Sequence, residues 1–186
     1  PYLAPVITPM EAHCRDIKNR NPEAKTIFIG PCISKKEEGD RNKEFIDCVL
    51  TFEELTEWME EEGIRIEYLE EEQEEGRARF FPVAGGILKT MEQREEYAYL
   101  AVDGIKNCTR AIEDIIYGRI TKCFVEMSAC DGSCIGGPGM DREESLPIRD
   151  YIAVKSYAKK KDFSVKGYDS QQLRKTFAAC SKQRVI

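Results

Sequence analysis

Residues 130–139 carry the pattern with the most chemical content in the chain. They read Cys-Asp-Gly-Ser-Cys-Ile-Gly-Gly-Pro-Gly and directly follow an apolar run at 123–127 that predicts a strand. Thiolates bind iron or zinc, and glycines let backbone N–H groups come close to a bulky inorganic group. The alternative is a tight turn whose two cysteines are merely small and buried. The two cysteines and the nearby glycines together favour a metal-binding loop.

A third candidate thiolate, Cys32, follows the short apolar run 26–29 and its Gly-Pro terminus. That run predicts a buried strand. Cys32 is therefore expected just past a strand end, where α/β proteins place their ligands. Cys32 could converge with Cys130 and Cys134 across a cleft, and Lys35 would then be a positive hydrogen-bond donor beside the metal. The alternative for Lys35 is an ordinary surface lysine.

The elements that would position these residues alternate between strands and helices. Thr51 and Glu54 form a predicted capping box, in which each side chain binds the other's backbone N–H, and Gly63 predicts the end of that helix. Trp58 shares the apolar face of the same helix and is expected in the core. Strands are predicted at 26–29, 48–50, 97–102 and 122–127, and helices at 9–20, 51–62, 87–94, 104–117, 141–160 and 170–180. This alternation predicts an α/β fold with largely parallel sheets flanked by helices.

Length and composition narrow the class of protein. The 186 residues, 41% of them hydrophobic, suffice for one well-cored domain or two small lobes. The net charge of −6 argues against nucleic acid as a partner, because no basic stripe is available for phosphates. No apolar run approaches the ~20 residues of a membrane span. Eight cysteines without a signal-like start predict a reducing, cytoplasmic compartment, and the single histidine, His13, rules out a Cys₂His₂ zinc site.

Four landmarks, in order along the chain, resemble those of the iron-only hydrogenases. Residues 31–38 resemble that family's Pro-Cys-x-x-Lys-Lys-x-Glu motif, and residues 126–137 resemble its Glu-Val-Met-Ala-Cys-x-Gly-Gly-Cys motif with the glycines that follow. Residues 47–55 resemble the stretch after the first motif, and residues 81–86 resemble the family's Phe-Gly-x-Thr-Gly-Gly loop. Together they resemble the C-terminal H-cluster domain of the family's large subunit.

The resemblance implies a two-lobed domain that holds an H-cluster, a 4Fe–4S cubane joined to a two-iron centre. By match to the motifs, Cys32 and Cys130 would ligate the cubane, and Cys134 would bridge the cubane and the two-iron centre. Lys35 would hydrogen-bond an iron-bound cyanide, and Phe81 would line the pocket. The implied chemistry is the reversible conversion of two protons and two electrons into hydrogen. The implied partners are hydrogen, protons and an electron-transfer iron–sulfur domain or ferredoxin.

Three departures from the family pattern bear on activity. The Thr-Ser-Cys-Cys-Pro-type motif, which carries the family's first cubane ligand, is not in the sequence. Residues 1–186 are therefore expected to be the C-terminal portion of an H-cluster domain, excised from a longer protein and inactive alone. Ser128 and Gly30 stand where active members have methionines, and Ala4 stands where a proton-path serine is expected. Serine at position 128 resembles the sensory branch of the family, which favours hydrogen sensing or slow turnover.

Two other functions stay open at this point. The parent could be a hydrogenase-like iron–sulfur protein that lacks the two-iron centre and serves in cluster assembly or sensing. Lys35 counts against this interpretation, because without cyanide ligands the lysine has less to bind. The chain could also hold zinc on three cysteines or be purely structural, but closed zinc sites take four ligands and no histidine is suitably placed.

Overall fold

The computed structural model describes residues 3–4, 6–65, 67, 76–140 and 147–158. These residues form an α/β fold, as predicted, and none of their helices is long and apolar enough to cross a membrane. The helix predicted at 170–180 lies outside the described residues. The elements are α1 (Pro9–Arg20), β1 (Ile27–Ile29), α2 (Ser34–Arg41), β2 (Cys48–Leu50), α3 (Phe52–Glu61), β3 (Ala98–Asp103), α4 (Ile105–Ile116), β4 (Cys123–Ser128) and α5 (Pro147–Ala158), with 3-10 turns at Arg77–Phe80, Leu88–Thr90 and Ser133–Gly136.

The described residues divide into two compact units. The first unit contains the chain up to Phe28 together with Ser34–Leu50. The second unit contains Ile29–Ile33 and the described residues from Thr51 to Ala158. The five-residue segment that carries Cys32 thus belongs to the same unit as Cys130 and Cys134.

A small apolar core holds the first unit together. β1 pairs with β2 in a two-stranded sheet, and all of this sheet except Ile29 belongs to the first unit. Burial raises the pKa of the Cys14 thiol, against the lowering effect of a hydrogen bond with Thr26. Cys14 therefore acts as a small apolar residue. The core consists of three buried side chains and three partly buried neighbours: Met10, Cys14, Ile46, Phe28, Phe45 and Val49.

The second unit is built on a strand–helix–strand segment in which β3 and β4 pair in parallel and α4 connects them. The register runs from Ala98 opposite Cys123 to Asp103 opposite Ser128. Gly104, with φ +78°, makes the sharp turn from β3 into α4. Since parallel strands end at the same edge of a sheet, Asp103 and Ser128 lie next to each other where the following loops begin.

Helix α3 in the second unit has the ends that its sequence predicts. The backbone N–H of Thr51 donates to the Glu54 carboxylate at 2.8 Å, and the N–H of Glu54 donates to the Thr51 hydroxyl at 3.1 Å. At the other end Gly63 has φ +66°, and its N–H donates to the Glu60 carbonyl at 3.0 Å. The capping box and the glycine terminus are both confirmed.

Three local features differ from expectation. Trp58 does not lie in the core, because its side chain is 51% exposed on α3. The helix predicted at 87–94 is limited to the 3-10 turn Leu88–Thr90, since the backbone at Met91 is already extended. The sequence pattern does not predict α2, because its eight residues include no apolar side chain whose spacing could indicate a helix.

Asp47 ties β2 to the strand and helix before it. Its carboxylate contacts the Lys18 ammonium at 2.7 Å and accepts the backbone N–H of Thr26 at 2.9 Å, and Lys25 approaches it at 3.3 Å. The Lys18 hydrogen bond, followed by that of Thr26, holds the pKa of this carboxyl well below its usual range. The ionised form is therefore favoured by folding.

A carboxyl whose pKa is lowered by folding stabilises the folded state above its unfolded pKa of about 3.9, and this contribution is lost as the pH falls further. We expect Asp47→Asn to lower the free energy of unfolding at neutral pH and to flatten its decline below about pH 4. Urea denaturation across this range measures both effects. Asp40→Asn is the control, because Asp40 forms an exposed ion pair with Lys43 at 3.4 Å. Equal pH profiles for the two variants would contradict the prediction.

Candidate functional site

The loop at residues 130–139, called the cysteine loop below, folds tightly on itself. Gly132 has a left-handed backbone conformation with φ +79°, and the next residue, Ser133, has φ +62°. The Ser133 N–H donates a hydrogen bond to the Cys130 carbonyl at 3.0 Å. A Cβ at Gly136 would lie 1.7 Å from the Asp131 carbonyl oxygen. A side chain larger than hydrogen therefore cannot be placed at position 136 without moving the backbone.

The end of β3 and the start of α4 hold the cysteine loop. The Asp103 carboxylate accepts the backbone N–H of Gly132 at 2.7 Å. Asn107, one turn into α4, donates to the Asp103 carbonyl at 3.0 Å. The Asp131 carboxylate lies against Gly104, where a Cβ would be only 2.1 Å from Oδ1. The parallel pairing of β3 with β4 is thus continued by contacts between the two segments that follow these strands.

The Cys32 segment lies against the other end of the cysteine loop. The Gly139 N–H donates to the Pro31 carbonyl at 2.9 Å. A Cβ at Gly137 would lie 2.7 Å from the same Pro31 oxygen and 2.9 Å from the Cys134 carbonyl. The backbone beside Cys32 and the backbone beside Cys134 therefore approach as closely as a glycine permits.

The surroundings of the Cys130 thiol disfavour its ionised form. The pKa of Cys130 is raised, first by burial, then by the charge of Cys32 and then by that of Asp131. Cys130 and Cys134 lie on one loop, Cys134 on its 3-10 turn, and Cys32 lies on the segment whose backbone bonds that loop; their role as a shared ligand set stays a prediction.

Two further predicted site residues lie in the same unit. Ser128, the last residue of β4, places its hydroxyl 2.8 Å from that of Ser133 in the cysteine loop. Phe81 follows the 3-10 turn Arg77–Phe80 and is 39% exposed. The carbonyl of the next residue, Pro82, accepts the Ile135 N–H at 3.1 Å. Both residues are therefore adjacent to contacts with the cysteine loop, and their roles stay predictions.

Lys35 lies in the first unit, in the first turn of α2, and not in the unit that holds the three cysteines. Its ammonium contacts the Glu38 carboxylate at 2.6 Å. Glu38 is buried and also accepts a hydrogen bond from the Thr8 hydroxyl. Lys35 is thus held by a carboxylate on its own helix, and its predicted role toward the metal stays a prediction.

The donor set at the cysteine loop fits an iron–sulfur group by its chemistry. Cys32, Cys130 and Cys134 form no disulfide within the described part of the chain, and thiolate is the ligand that such clusters take. Among the described residues, no group of three or more His, Cys, Asp or Glu side chains is arranged to hold a metal ion. An iron–sulfur group is therefore supported by ligand chemistry, since such clusters bind several cysteine thiolates.

Three polar residues of the site make contacts that the sequence does not predict. Asp103 holds Gly132, as described above, and Glu126 of β4 binds backbone N–H groups of residues 85 and 88. Cys108 of α4 donates its S–H to the Ser128 carbonyl at 3.3 Å. For Asp103 the sequence contains a signal, because an acidic residue between a strand end and a glycine is well placed to bind a loop N–H. The sequence contains no such signal for the partners of Glu126 or Cys108.

The fold and the site together define an α/β protein with a cysteine-based candidate metal centre at the ends of parallel strands. The sequence matches the family "Iron only hydrogenase large subunit, C-terminal domain" over residues 1–101 and 89–138. The chain belongs to this family. No curated protein matches the chain significantly.

Solved structures of low sequence identity share the fold. One, HydA(deltaEFG), described as revealing stepwise H-cluster assembly in FeFe-hydrogenase, is 18% identical with a TM-score of 0.57, over 83% of this chain and 60% of that chain. Another, from work on the oxygen inactivation of FeFe-hydrogenase through its 2Fe subcluster, is 16% identical with a TM-score of 0.60, over 88% and 62%. The chain thus spans about three fifths of the length of these two structures.

Gly137→Ala tests the contact between the Cys32 segment and the cysteine loop. Gly137 has φ −65°, so alanine costs no backbone strain, but its methyl group would press on two carbonyl oxygens. We expect a loss of about 1–3 kcal/mol in the free energy of unfolding, the usual cost of overpacking. Gly63→Ala is the control, since its Cβ would meet nothing within 4 Å and the cost is only the left-handed backbone strain of about 1 kcal/mol. Denaturant unfolding of both variants measures these losses. A Gly137 variant as stable as the wild type would contradict the close contact between the Cys32 segment and the cysteine loop.

Proposed function

We propose that this chain is the H-cluster-binding portion of an iron-only hydrogenase-like protein, excised from a longer polypeptide. The observation that carries the proposal is the hydrogen bond from the Gly139 N–H to the Pro31 carbonyl, which holds the segment of Cys32 against the cysteine loop in a chain of this family. When bound, the cluster would supply the redox chemistry that joins two protons and two electrons into hydrogen.

The chain's own residues would bind and orient that group. Cys32 and Cys130 would ligate the cubane, and Cys134 would bridge it to the two-iron centre. Ser128 would face the pocket from the end of β4 with its hydroxyl fixed on Ser133, which supports the assignment as a pocket residue. Phe81 would line the pocket beside the Pro82–Ile135 contact.

We propose that the protein belongs to the sensory or slow subtype of the family, because Ser128 stands where active members have methionine. A polar hydroxyl that hydrogen-bonds Ser133 gives the pocket a different surface from the flexible, apolar side chain of methionine. The protein would act in the cytoplasm with hydrogen, protons and an iron–sulfur electron carrier. With three of the family's four cubane thiolates, residues 1–186 alone would be inactive.

Replacement of a bridging ligand tests the assignment. In the full-length, maturated protein we expect Cys134→Ala to abolish the electron paramagnetic resonance signal of the H-cluster and hydrogen evolution, because the two-iron centre loses its link to the cubane. Cys48→Ala is the matched control, since Cys48 is an exposed free thiol on β2 of the first unit. Full activity in the Cys134 variant would overturn the assignment.

A variant of Lys35 distinguishes the two candidate functions. The alternative to a hydrogenase is an iron–sulfur protein without the two-iron centre that serves in cluster assembly or sensing. We expect Lys35→Met to weaken the infrared bands of iron-bound CO and cyanide while the cubane signal remains. Lys36→Met is the control, because the neighbouring ammonium contacts the Val49 carbonyl at 3.4 Å and has no proposed role at the cluster. If the wild-type protein shows the cubane signal and none of these infrared bands, the alternative function is the correct one.

A further inference from the structure

Glu126 is a buried carboxylate in the middle of the site-bearing strand β4. Its residue is only 6% exposed. Oε1 accepts the N–H of Gly85 at 3.0 Å, and Oε2 accepts the N–H of Leu88 at 3.1 Å. Burying a carboxylate is costly unless its oxygens are hydrogen-bonded. Both oxygens of Glu126 accept hydrogen bonds from a segment that lies some forty residues earlier in the chain. The pairing of β4 with β3 does not need this side chain.

The segment that Glu126 holds is itself stiff. Residues 81–88, called the Phe81 loop, include Val83, which is almost completely buried, and Gly85, which has φ +76°. A Cβ at Gly86 would lie 1.8 Å from the Phe80 carbonyl oxygen, so the chain there is packed against its own backbone. The shape of this loop is therefore set by close contacts within the chain.

The Phe81 loop contacts the cysteine loop at its other end. The Pro82 carbonyl accepts the N–H of Ile135, which lies between Cys134 and Gly136 on the 3-10 turn. On β4, side chains two residues apart point to the same face, so Glu126 and Ser128 are on one face of the strand. Glu126 binds the Phe81 loop and Ser128 binds Ser133 of the cysteine loop.

From this chain of contacts we propose that Glu126 is a positioning residue, whose carboxylate fixes the Phe81 loop and, through Pro82 and Ile135, the placement of Cys134. The positioning of Cys134 by Glu126 is argued from the contacts described above. An effect of Glu126 on a bound cluster rests in addition on the proposed function.

Amide hydrogen exchange in the full chain tests the mechanical link. In Glu126→Gln the new NH₂ group faces one of the two N–H donors, so exchange at Gly85 or Leu88 is expected to rise about tenfold. Exchange at Ile135 is expected to rise with it, whereas the Cys108 amide inside α4, bonded to the Gly104 carbonyl at 3.0 Å, stays unchanged. Glu113→Gln, which makes the same change at an exposed position on α4, is expected to alter none of these amides.

Each outcome of this measurement decides the proposal. Faster exchange at residues 85 or 88 with no change at 135 would show that Glu126 anchors its own loop only. A uniform rise that includes Cys108 would show a general stabilising role, and no change anywhere would show no role; each of these three overturns the proposal. If Glu126→Gln does not fold, Glu126→Asp replaces it, because aspartate keeps the charge and is too short to reach both N–H groups.

A spectroscopic measurement extends the test to the cluster. In the iron-loaded full-length protein, Glu126→Gln is expected to shift the electron paramagnetic resonance g-values of the cubane at unchanged iron content, while Glu113→Gln gives the wild-type spectrum. An unchanged spectrum would overturn the role toward the cluster. If the wild-type protein binds no iron, the proposed function fails, and the exchange result still decides whether Glu126 positions Cys134.

Discussion

The parallel pairing of β3 with β4 is the interaction on which the candidate site depends. It places Asp103 opposite Ser128, so that two loops leave the sheet from adjacent positions. Asp103 then holds Gly132, and Asp131 lies against Gly104, which fixes the cysteine loop to the start of α4. If the register slipped by one residue, every side chain of one strand would turn to the other face, and these contacts could not form.

Much of this architecture could be predicted from the sequence because the relevant signals are local. The limits of β2 and the two ends of α3 depend on short-range chemistry, namely a brief apolar run, the Thr51–Glu54 box and the glycine at position 63. The exposure of Trp58 was not predicted, because an apolar helical face indicates a contact surface without indicating whether the rest of the chain covers it. α2 was not predicted because none of its side chains is apolar; its buried residue Glu38 binds Lys35 of the same helix and Thr8 outside it.

The same division applies within the site. Cys32, Cys130 and Cys134 could be chosen from residue type and from their places beside predicted strands. Glu126 could not be assigned a partner, because the N–H groups it binds lie 38 and 41 residues away and belong to no regular element with a pattern of its own. Long-range hydrogen bonds between a side chain and an irregular backbone leave no periodic trace in the sequence.

The glycines of the cysteine loop have a role within the polypeptide as well as their predicted one of letting backbone N–H groups approach an inorganic group. A Cβ at Gly136, Gly137 or Gly139 would meet protein atoms of Asp131, Pro31 or Thr51. The loop therefore takes its shape from contacts within the polypeptide. Because those contacts are mostly to backbone carbonyls, which cannot rotate aside as a flexible side chain does, the positions of Cys130 and Cys134 follow from how the chain packs. A ligand group would then meet thiols already held in place by the protein.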